Sequence, residues 1–594
     1  MSVISQIKVV WRNVVVLILL FTGLCVLAAQ AVFNSQNVYL KKKSKNVTAR
    51  HLTLSAPRGT IFDSQGNIIA IDVLFYQYLI DGRRLNEKWK NLYEKSAGKF
   101  NSASYLNKNI VKDEVLKLSK VLGVSYDKFN RLLVKATSKR RTLFISKKVT
   151  LEEHLNFQEI GSKVSKKLIS SLYESITSKG YYRRRYPHKN VFSELVGHMP
   201  ISKEREPFDG VERALDNRLR GKNGGLSYLK NLKGDFVELK QGVELPKAGK
   251  DVQLTVDYQL QYILNKELYK QLHIHRAKSA SALLVEVKTG EIKALVSQPN
   301  YNPNNTLERT AYRTRLRPLL DYIEPGSVQK SLLVAAGLES AILSEDSTVR
   351  ITRKSKFKWR STPFIEERAL GVRTVSEVMK YSLNSGIIKF AENIPREHFW
   401  ALYNRLGYGA KHNIFTGERG ISSLPHHNSW IDSDYYTRTY GYSEKINIFN
   451  IISFYVAIAN NGILPPLHLL PQEEDKIIRK SRRIVSTQTA IVMKKILHQV
   501  TTSNGTGRKA QIRGIKVAGK TGTARKGAVL QLKYRALFVG FAPLENPRYA
   551  LAIIVENPRR NEEFYSGGTV AAPLFSTVMK QILHLDLSQN VASN

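Results

Sequence analysis

Ten residues near the C-terminal end, Gly514-Ile-Lys-Val-Ala-Gly519-Lys520-Thr521-Gly522-Thr523, fit two incompatible chemistries. From Gly514 they satisfy G-x-x-x-x-G-K-[ST], a loop whose backbone N–H groups cradle phosphates. From Lys520 they read as K-T-G, the cationic strand element of active-serine acyltransferases. A phosphate loop must open a helix, so that the helix N-terminus faces the anion. Here Thr-Gly-Thr-Ala-Arg-Lys-Gly follows, with no apolar 3.6-residue period, and Gly-Ile-Lys-Val-Ala precedes, alternating like a strand. A later apolar run, Leu551-Ala-Ile-Ile-Val-Glu556, ends in Glu where the second nucleotide motif would have Asp. Context therefore favours acyl transfer.

That chemistry needs a serine nucleophile, a base beside it, an orienting amide and a cation to hold a carboxylate. Ser327-Val-Gln-Lys330 supplies the first two, because helix positions three apart share a face. An exposed lysine would be protonated and useless as a base. Burial and a second cation, with Lys520 as the candidate, both push its pKa down. Alone the pattern is weak: S-x-x-K recurs at Ser5–Lys8, Ser96–Lys99, Ser125–Lys128, Ser227–Lys230 and Ser355–Lys358, and Lys288-Thr289-Gly290 reads as a hairpin turn. Order and surroundings discriminate. Ser327 follows a Glu-Pro-Gly helix start, Ser382-Leu-Asn384 comes 55 residues later in a helical region, and Lys520 comes 138 residues after Ser382 on a strand.

The elements that must position these groups are legible in outline. Residues 34–248 mix short strands with charged helical stretches, Lys112–Leu133 and Leu151–Leu172 among them. Val252–Asp257 reads as a strand, with a helix from Tyr258. Ser281–Val287 and Glu291–Val296 read as a hairpin turning at 288–290. A mainly helical region spans about 327–460. Strands are expected near Ile512–Ala518, Tyr534–Ala542 and Tyr549–Glu556, and a helix from Ala571 to about Leu585. Strands, then helices, then strands give an α+β fold, a mixed sheet split by an all-helical insertion.

Val14–Phe33 carries no charge, and twenty such residues suit a membrane-crossing helix. With only Lys8 and Arg12 as charges before it, the stretch reads as an uncleaved signal-anchor with the rest exported. Ala29-Gln30-Ala31 resembles a cleavage site, and Lys41, Lys42, Lys43, Lys45 and Arg50 sit where the positive-inside rule disfavours them. The single Cys25 lies within this span, so the remainder has neither disulfide nor thiol chemistry. The net charge is +43, which favours anionic partners such as lipid headgroups or envelope polymers. No nucleic-acid-binding module accompanies it, so no nucleic-acid role is expected. His273-Ile-His275 and His426-His427 lack H-E-x-x-H spacing, so neither a metal nor another cofactor is expected.

Taken together, the motifs resemble those of the class B penicillin-binding proteins, most closely the cell-division type, over nearly the whole chain. The resemblance rests on Arg58-Gly-Thr-Ile-Phe-Asp63 through Ala70, Arg185-Tyr-Pro187, Gly210-Val-Glu212, Asp216, Leu219-Arg-Gly221, Pro299 with Asn302-Pro-Asn304, Gly407-Tyr-Gly409, Thr416-Gly-Glu418, Gly441-Tyr442-Ser443, Ala459-Asn-Asn-Gly462 and Gly567-Gly568 with Val570–Pro573. It implies the penicillin-binding transpeptidase fold: an antiparallel-rich sheet flanked by helices, an all-helical subdomain, an elongated pedestal and one transmembrane helix. The implied division is a cytoplasmic tail 1–13, a membrane helix 14–33, a pedestal 34–248, a transpeptidase domain 249–585 and a tail 586–594.

The resemblance also implies roles. Ser327 attacks the D-Ala-D-Ala carbonyl of a stem peptide and Lys330 takes its proton. Ser382 and Asn384 orient Lys330 and pass a proton to the departing D-Ala. Backbone N–H groups of Ser327 and Thr523 form the oxyanion hole, while Lys520, Thr521, Gly522 and Thr523 line the strand that holds the terminal carboxylate. An amine of a neighbouring stem captures the acyl-enzyme, and beta-lactams acylate the same serine. Implied partners are a polytopic lipid II glycosyltransferase and other septal membrane proteins, at the bacterial inner membrane with the catalytic domain outside. The chain departs from the family at Ser331, usually proline, and in having Ser-Leu-Asn for the commoner Ser-Ser-Asn. An elongation-type enzyme, a carboxypeptidase and a catalytically idle scaffold are the competing readings.

Overall fold

The computed structural model describes residues 18–30, 33, 49–94, 109–139, 141–164, 166–200, 206–230, 236–239, 242–352, 354–359, 362–365, 370–410, 414, 424–526, 533–559 and 566–593. Residues 18–30 are helical, with exposed Leu19, Phe21 and Leu24. Most of the remaining expected span, and the 41–48 basic cluster, lie outside the described residues. Among those described, no helix is long and apolar enough to cross a membrane.

The chain packs as two units. One comprises residues 1–57, 75–182 and 221–249; the other comprises 58–74, 183–220 and 250–594. Two stretches that lie within 34–248 by sequence thus pack with the C-terminal unit.

In the first unit the helices Gly82–Glu94, Asn109–Val121, Tyr126–Ser138, Leu151–Ser162 and Lys167–Glu174 enclose Tyr78, Trp89, Leu118, Phe129, Leu133 and Leu172. Each long helical stretch expected from sequence is two helices. The first breaks because Gly123 adopts φ +62°, a left-handed turn that glycine makes without steric cost. The second opens on a capping box, Thr150 with Glu153, and stops at Lys163.

In the second unit a five-stranded antiparallel sheet runs in the order Ile292–Gln298, Ser279–Glu286, Tyr549–Glu556, Lys533–Ala542, Ala518–Lys526. Its central strands are apolar without alternation because both faces are covered. Leu283, Val285 and Leu537 join the core that includes the fully buried helix Ile448–Ala459. Ala282, Leu284 and Ile553 join the core of Tyr258–Ile274 and the closing helix. This burial explains the Leu551–Glu556 run, whose terminal carboxylate pairs with Arg535.

Four expectations are corrected. The strand at 252 spans only Val252–Gln253, beside Ile61–Phe62, because Asp257 turns to cap the next helix, accepting from the Gln259 and Leu260 N–H groups. The K-T-G strand opens at Ala518, not Ile512, because Ile512 bridges to Ile515 across a turn in which Gly514 has φ +78°. The helical region is not all helix: it carries two small antiparallel pairs, Thr348–Ile351 with Gly371–Thr374 and Lys354–Trp359 with Thr362–Ile365. β-Branched residues at 348, 349, 351, 372 and 374 favour the first pair. The closing helix runs Ala572–Ser593, beyond Leu585, after one π-helical turn at Gly567–Ala571. The 281–296 hairpin and the Tyr258 helix start stand as read.

Several motif residues gather in a buried ion cluster of this unit. The Glu212 carboxylate, fully buried, accepts from Arg58 Nε at 2.6 Å and from Arg184 Nε at 2.6 Å, and Arg58 also reaches Asp216. The sequence motif drew attention to Arg185, but its neighbour Arg184 enters the cluster. The Asn304 side-chain amide ties its loop to the Tyr186 backbone, its Oδ1 accepting from the Tyr186 N–H at 3.1 Å and its Nδ2 donating to the Tyr186 carbonyl at 2.8 Å.

Candidate active site

Four separate elements of the second unit converge on one place. A tight 3₁₀ turn, Gly326–Gln329, carries Ser327 and runs directly into the helix Lys330–Glu339. Ser327 is half-buried between buried neighbours, and Lys330 is fully buried. The turn requires Gly326 at φ +61°, and it docks on Gly441, whose carbonyl accepts from the Gly326 N–H at 3.0 Å. A Cβ on Gly441 would lie 2.0 Å from the Gly326 carbonyl oxygen.

The second element is the short helix Val375–Tyr381, started by a capping box of Thr374 with Glu377. Ser382 ends it in the left-handed conformation, φ 60° and ψ 41°, uncommon for a residue with a side chain. That conformation turns both oxygens of Ser382 toward lysines. Lys330 Nζ donates to the Ser382 carbonyl at 2.5 Å and lies 3.3 Å from its Oγ; Lys520 Nζ donates to the same Oγ at 2.9 Å. Asn384 opens the next helix, Asn384–Ala391, two residues on.

Lys520, Thr521, Gly522 and Thr523 lie inside the edge strand Ala518–Lys526, opposite Val539, Phe538, Leu537 and Ala536. A strand interior cannot present successive N–H groups at a helix N-terminus, so the phosphate-loop reading falls. The strand lies against the serine turn: a Cβ on Gly522 would come within 2.9 Å of the Pro325 carbonyl, and one on Gly326 within 3.2 Å of the Thr523 carbonyl. Lys520 is fully buried, and burial together with the charge of Lys330 pushes its pKa well below the usual lysine value. Two lysines sharing one hydroxyl thus favour a state with one of them neutral, as a base requires.

The structure brings Ser327, Lys330, Ser382 and Lys520 together with the K-T-G strand, and it adds residues that sequence reading left unassigned. Thr521 Oγ1 donates to Thr506 Oγ1 at 3.0 Å, and the Thr506 N–H donates to the Lys380 carbonyl at 3.1 Å, tying strand to Ser382 helix. Thr523 Oγ1 accepts from the Gly567 N–H at 3.1 Å. Gly567-Gly568 stood out in the sequence, but nothing there showed which atoms the pair offers, and no role for Thr506 was legible there. Ser331, in place of proline, bonds the buried Tyr455 hydroxyl at 3.0 Å.

The other S-x-x-K occurrences lead elsewhere. Ser125 precedes a helix of the first unit, Ser227–Lys230 and Ser355–Lys358 lie in strands, and the remaining two lie outside the described residues. Lys288-Thr289-Gly290 is a hairpin turn. His426 and His427 pack on Trp400, and among the described residues no group of acidic, His or Cys side chains forms a metal cage.

Comparison with known proteins agrees with this geometry. Residues 280–580 match the penicillin binding protein transpeptidase domain, and residues 53–254 the penicillin-binding protein dimerisation domain. A probable peptidoglycan D,D-transpeptidase PenA of Neisseria meningitidis is 27% identical over 92% of this chain and 87% of its own length. A probable peptidoglycan D,D-transpeptidase PbpC of Pseudomonas aeruginosa is 33% identical over 67% of this chain and 70% of its own. Peptidoglycan D,D-transpeptidase FtsI of Escherichia coli is 29% identical over 68% and 67%. In three dimensions the chain is similar to penicillin binding protein 2X of Streptococcus thermophilus, with TM-score 0.72 at 19% identity over 90% of this chain and 80% of that one, which shows the fold. With an active-serine constellation in its C-terminal unit and a dimerisation-domain match before it, the chain belongs to the class B penicillin-binding proteins, the D,D-transpeptidase family.

Proposed function

We propose that the protein cross-links peptidoglycan stem peptides during septal wall synthesis through an acyl-enzyme on Ser327. The observation that carries the reading is the pair of buried lysines converging on Ser382 beside the serine turn. Lys330, held by both oxygens of Ser382, takes the Ser327 proton as Oγ attacks the carbonyl of the penultimate D-Ala. Backbone N–H groups of Ser327 and Thr523 receive the oxyanion, the interaction that typically contributes most to such a step. Ser382 and Asn384 orient Lys330 and relay a proton to the departing D-Ala, and Lys520, Thr521, Gly522 and Thr523 take the carboxylate end. An amine of a second stem then attacks the ester and frees Ser327. A beta-lactam opens on the same serine and leaves no departing group.

The septal assignment draws on the relatives named FtsI and PenA. Under it, residues 14–33 anchor the chain in the inner membrane with 34–248 as pedestal, 249–585 as the external catalytic domain and 586–594 as its tail. The partners are then a polytopic lipid II glycosyltransferase and other septal membrane proteins. The test is covalent labelling by a fluorescent penicillin of parent and Ser327→Ala protein. A band in the parent that vanishes in the variant is the expected result; labelling that survives Ser327→Ala refutes the nucleophile.

A further inference from the structure

The catalytic unit holds a cavity of about 320 Å³ that no step of acyl transfer uses. None of Ser327, Lys330, Ser382 or Lys520 lines it. Its wall is apolar. Leu406 ends the helix Arg396–Leu406, and Leu464, Pro465 and Pro466 come from the short strand after the helix Ile448–Ala459 and the turn beyond it. Successive prolines fix the backbone and present no N–H, so this wall is rigid and carries no main-chain donor of its own. The Ser453 hydroxyl, also in the wall, is occupied by the Phe449 carbonyl at 2.7 Å. An apolar body entering here strands no polar group.

The mouth is cationic. Ile463–Leu464 pairs with Arg482–Arg483 so that Arg482 stands opposite Leu464 and Arg483 opposite Ile463. Successive strand residues face opposite ways, so Arg482 shares the cavity face with Leu464 while Arg483 is turned from it. Arg483 donates to the Val485 carbonyl at 3.3 Å, and Arg405 to the Ile484 carbonyl at 2.8 Å. Arg482 donates to no group among the described residues, and neither does Lys480 on the same rim. Gly407, left-handed at φ +79°, lets the Arg482 guanidinium pass close: a Cβ there would stand 3.4 Å from Nη2. Arg482 stays exposed enough to meet a ligand, yet burial lowers its pKa and no carboxylate raises it again. No acidic side chain lines the cavity among the described residues. A guanidinium partly withdrawn from water and left without an acceptor is a cost that an arriving anion relieves.

We propose that this cavity is a binding site for a small organic anion, a compact apolar body carrying one carboxylate or phosphate group. The body lies against Leu406, Leu464 and the two prolines. The anionic oxygens take the Arg482 fork, whose geometry matches carboxylate and phosphate alike, and Lys480 adds a second positive charge. The volume falls at the lower end of ligand cavities, which run to about 300–1,000 Å³. That size suits a single ring or a short branched chain rather than a polymer.

The test uses the full-length protein and fluorine NMR of two probes, para-fluorobenzoate and para-fluorophenyl phosphate. Uncharged para-fluorobenzamide is the matched control, and inorganic phosphate is the competitor. A net charge of +43 holds anions loosely over the whole surface, so titrations run at physiological salt, which screens that attraction. The expected result is saturable binding of at least one anion with a Kd of about 1 mM or tighter, ordinary for a ligand of about ten non-hydrogen atoms. Which of the two binds more tightly identifies the anionic group. The benzamide should bind at least about tenfold more weakly, and so should either anion to Arg482→Gln, the usual worth of a charge-assisted hydrogen bond. Ala410→Leu, which enlarges a lining side chain and leaves both cations in place, should abolish binding. Melting temperatures without ligand establish that each variant is folded; should Ala410→Leu fail to fold, Arg482→Gln on the exposed rim decides. No saturable binding of either anion to the parent overturns the proposal. So does parental affinity in a folded variant, or inorganic phosphate binding as tightly as the ring-bearing anions.

Discussion

At the residue scale the site is an arrangement of costs. Lys330 and Lys520 are both removed from water and approach one serine, and Ser382 sits in a left-handed conformation that costs about 1–3 kcal/mol. Burial penalises a charged ammonium, so Lys520 titrates well below an ordinary lysine. The sign of its effect on stability follows. The unfolded chain holds the Lys520 proton up to the ordinary value of 10.5, while the folded chain releases it earlier. Stability therefore rises with pH above the depressed folded pKa, levels off near 10.5, and is lost as pH falls through the folded pKa. Lys520→Met removes this liability. It should unfold about 1–2 kcal/mol later at neutral pH, the usual return on relieving a functional liability, show a flatter stability profile on the alkaline side, and acylate far more slowly. Thermal melts across pH, paired with penicillin labelling, check both halves. A destabilised Lys520→Met would show that the lysine serves the fold rather than the chemistry.

At the element scale, placement depends on close backbone approaches more than on side-chain bonds. The serine turn fits because Gly441, at φ +88°, lets the Gly326 carbonyl approach to where a Cβ would stand. Gly441→Ala meets two obstacles, a steric one and a left-handed backbone that costs about 1–2 kcal/mol for a residue with a Cβ. The turn must then shift, and acylation should fall by at least about 10²-fold, as for other displaced reacting groups. Gly514→Ala is the control. It carries the same backbone strain at φ +78° with open space around it, so it should lower the melting temperature slightly and acylate like the parent. Equal acylation rates in the two variants would refute the docking argument. The contrast also shows what a sequence can disclose. Gly514 and Gly441 are equally visible as letters, and only Gly514 belonged to a nucleotide-like motif, yet Gly441 is the one that touches the serine turn. Strands at 279–298 and 533–556 were legible because their apolar runs are too short for helices and end in turn residues. The partners of Ser382 were not, since a left-handed serine and two converging lysines arise from tertiary packing. Nor was the bond from Gln329 Nε2 to the buried Tyr403 hydroxyl, which joins residues 74 apart in sequence.

At the scale of the whole molecule, the net charge of +43 leaves few carboxylates to spare, so a buried carboxylate that gathers arginines is worth testing. Glu212 does this for two segments far apart in sequence, taking Arg58 and Arg184 while Asp216 takes the other side of Arg58 and Asp72 stands 3.7 Å from Arg184. All four partners belong to the unit that carries the reaction, although residues 58–72 and 184–216 precede its main segment. Replacing a buried ion pair by matched apolar groups can be neutral, but removing one partner strands the others. Glu212→Gln leaves two buried guanidinium groups facing an amide, and it should cost about 3–5 kcal/mol in denaturant unfolding. The loss should persist in high salt, which screens buried pairs far less than exposed ones. Glu159→Gln, whose pair with Lys163 lies on the surface of the other unit, should leave the transition in place. Because Glu212 touches none of the reacting groups, the folded fraction of Glu212→Gln should acylate at the parental rate. Destabilisation with unchanged chemistry would mark residues 58–72 and 184–216 as a brace of the catalytic unit, whereas an unmoved transition would mean that the cluster contributes nothing to its stability.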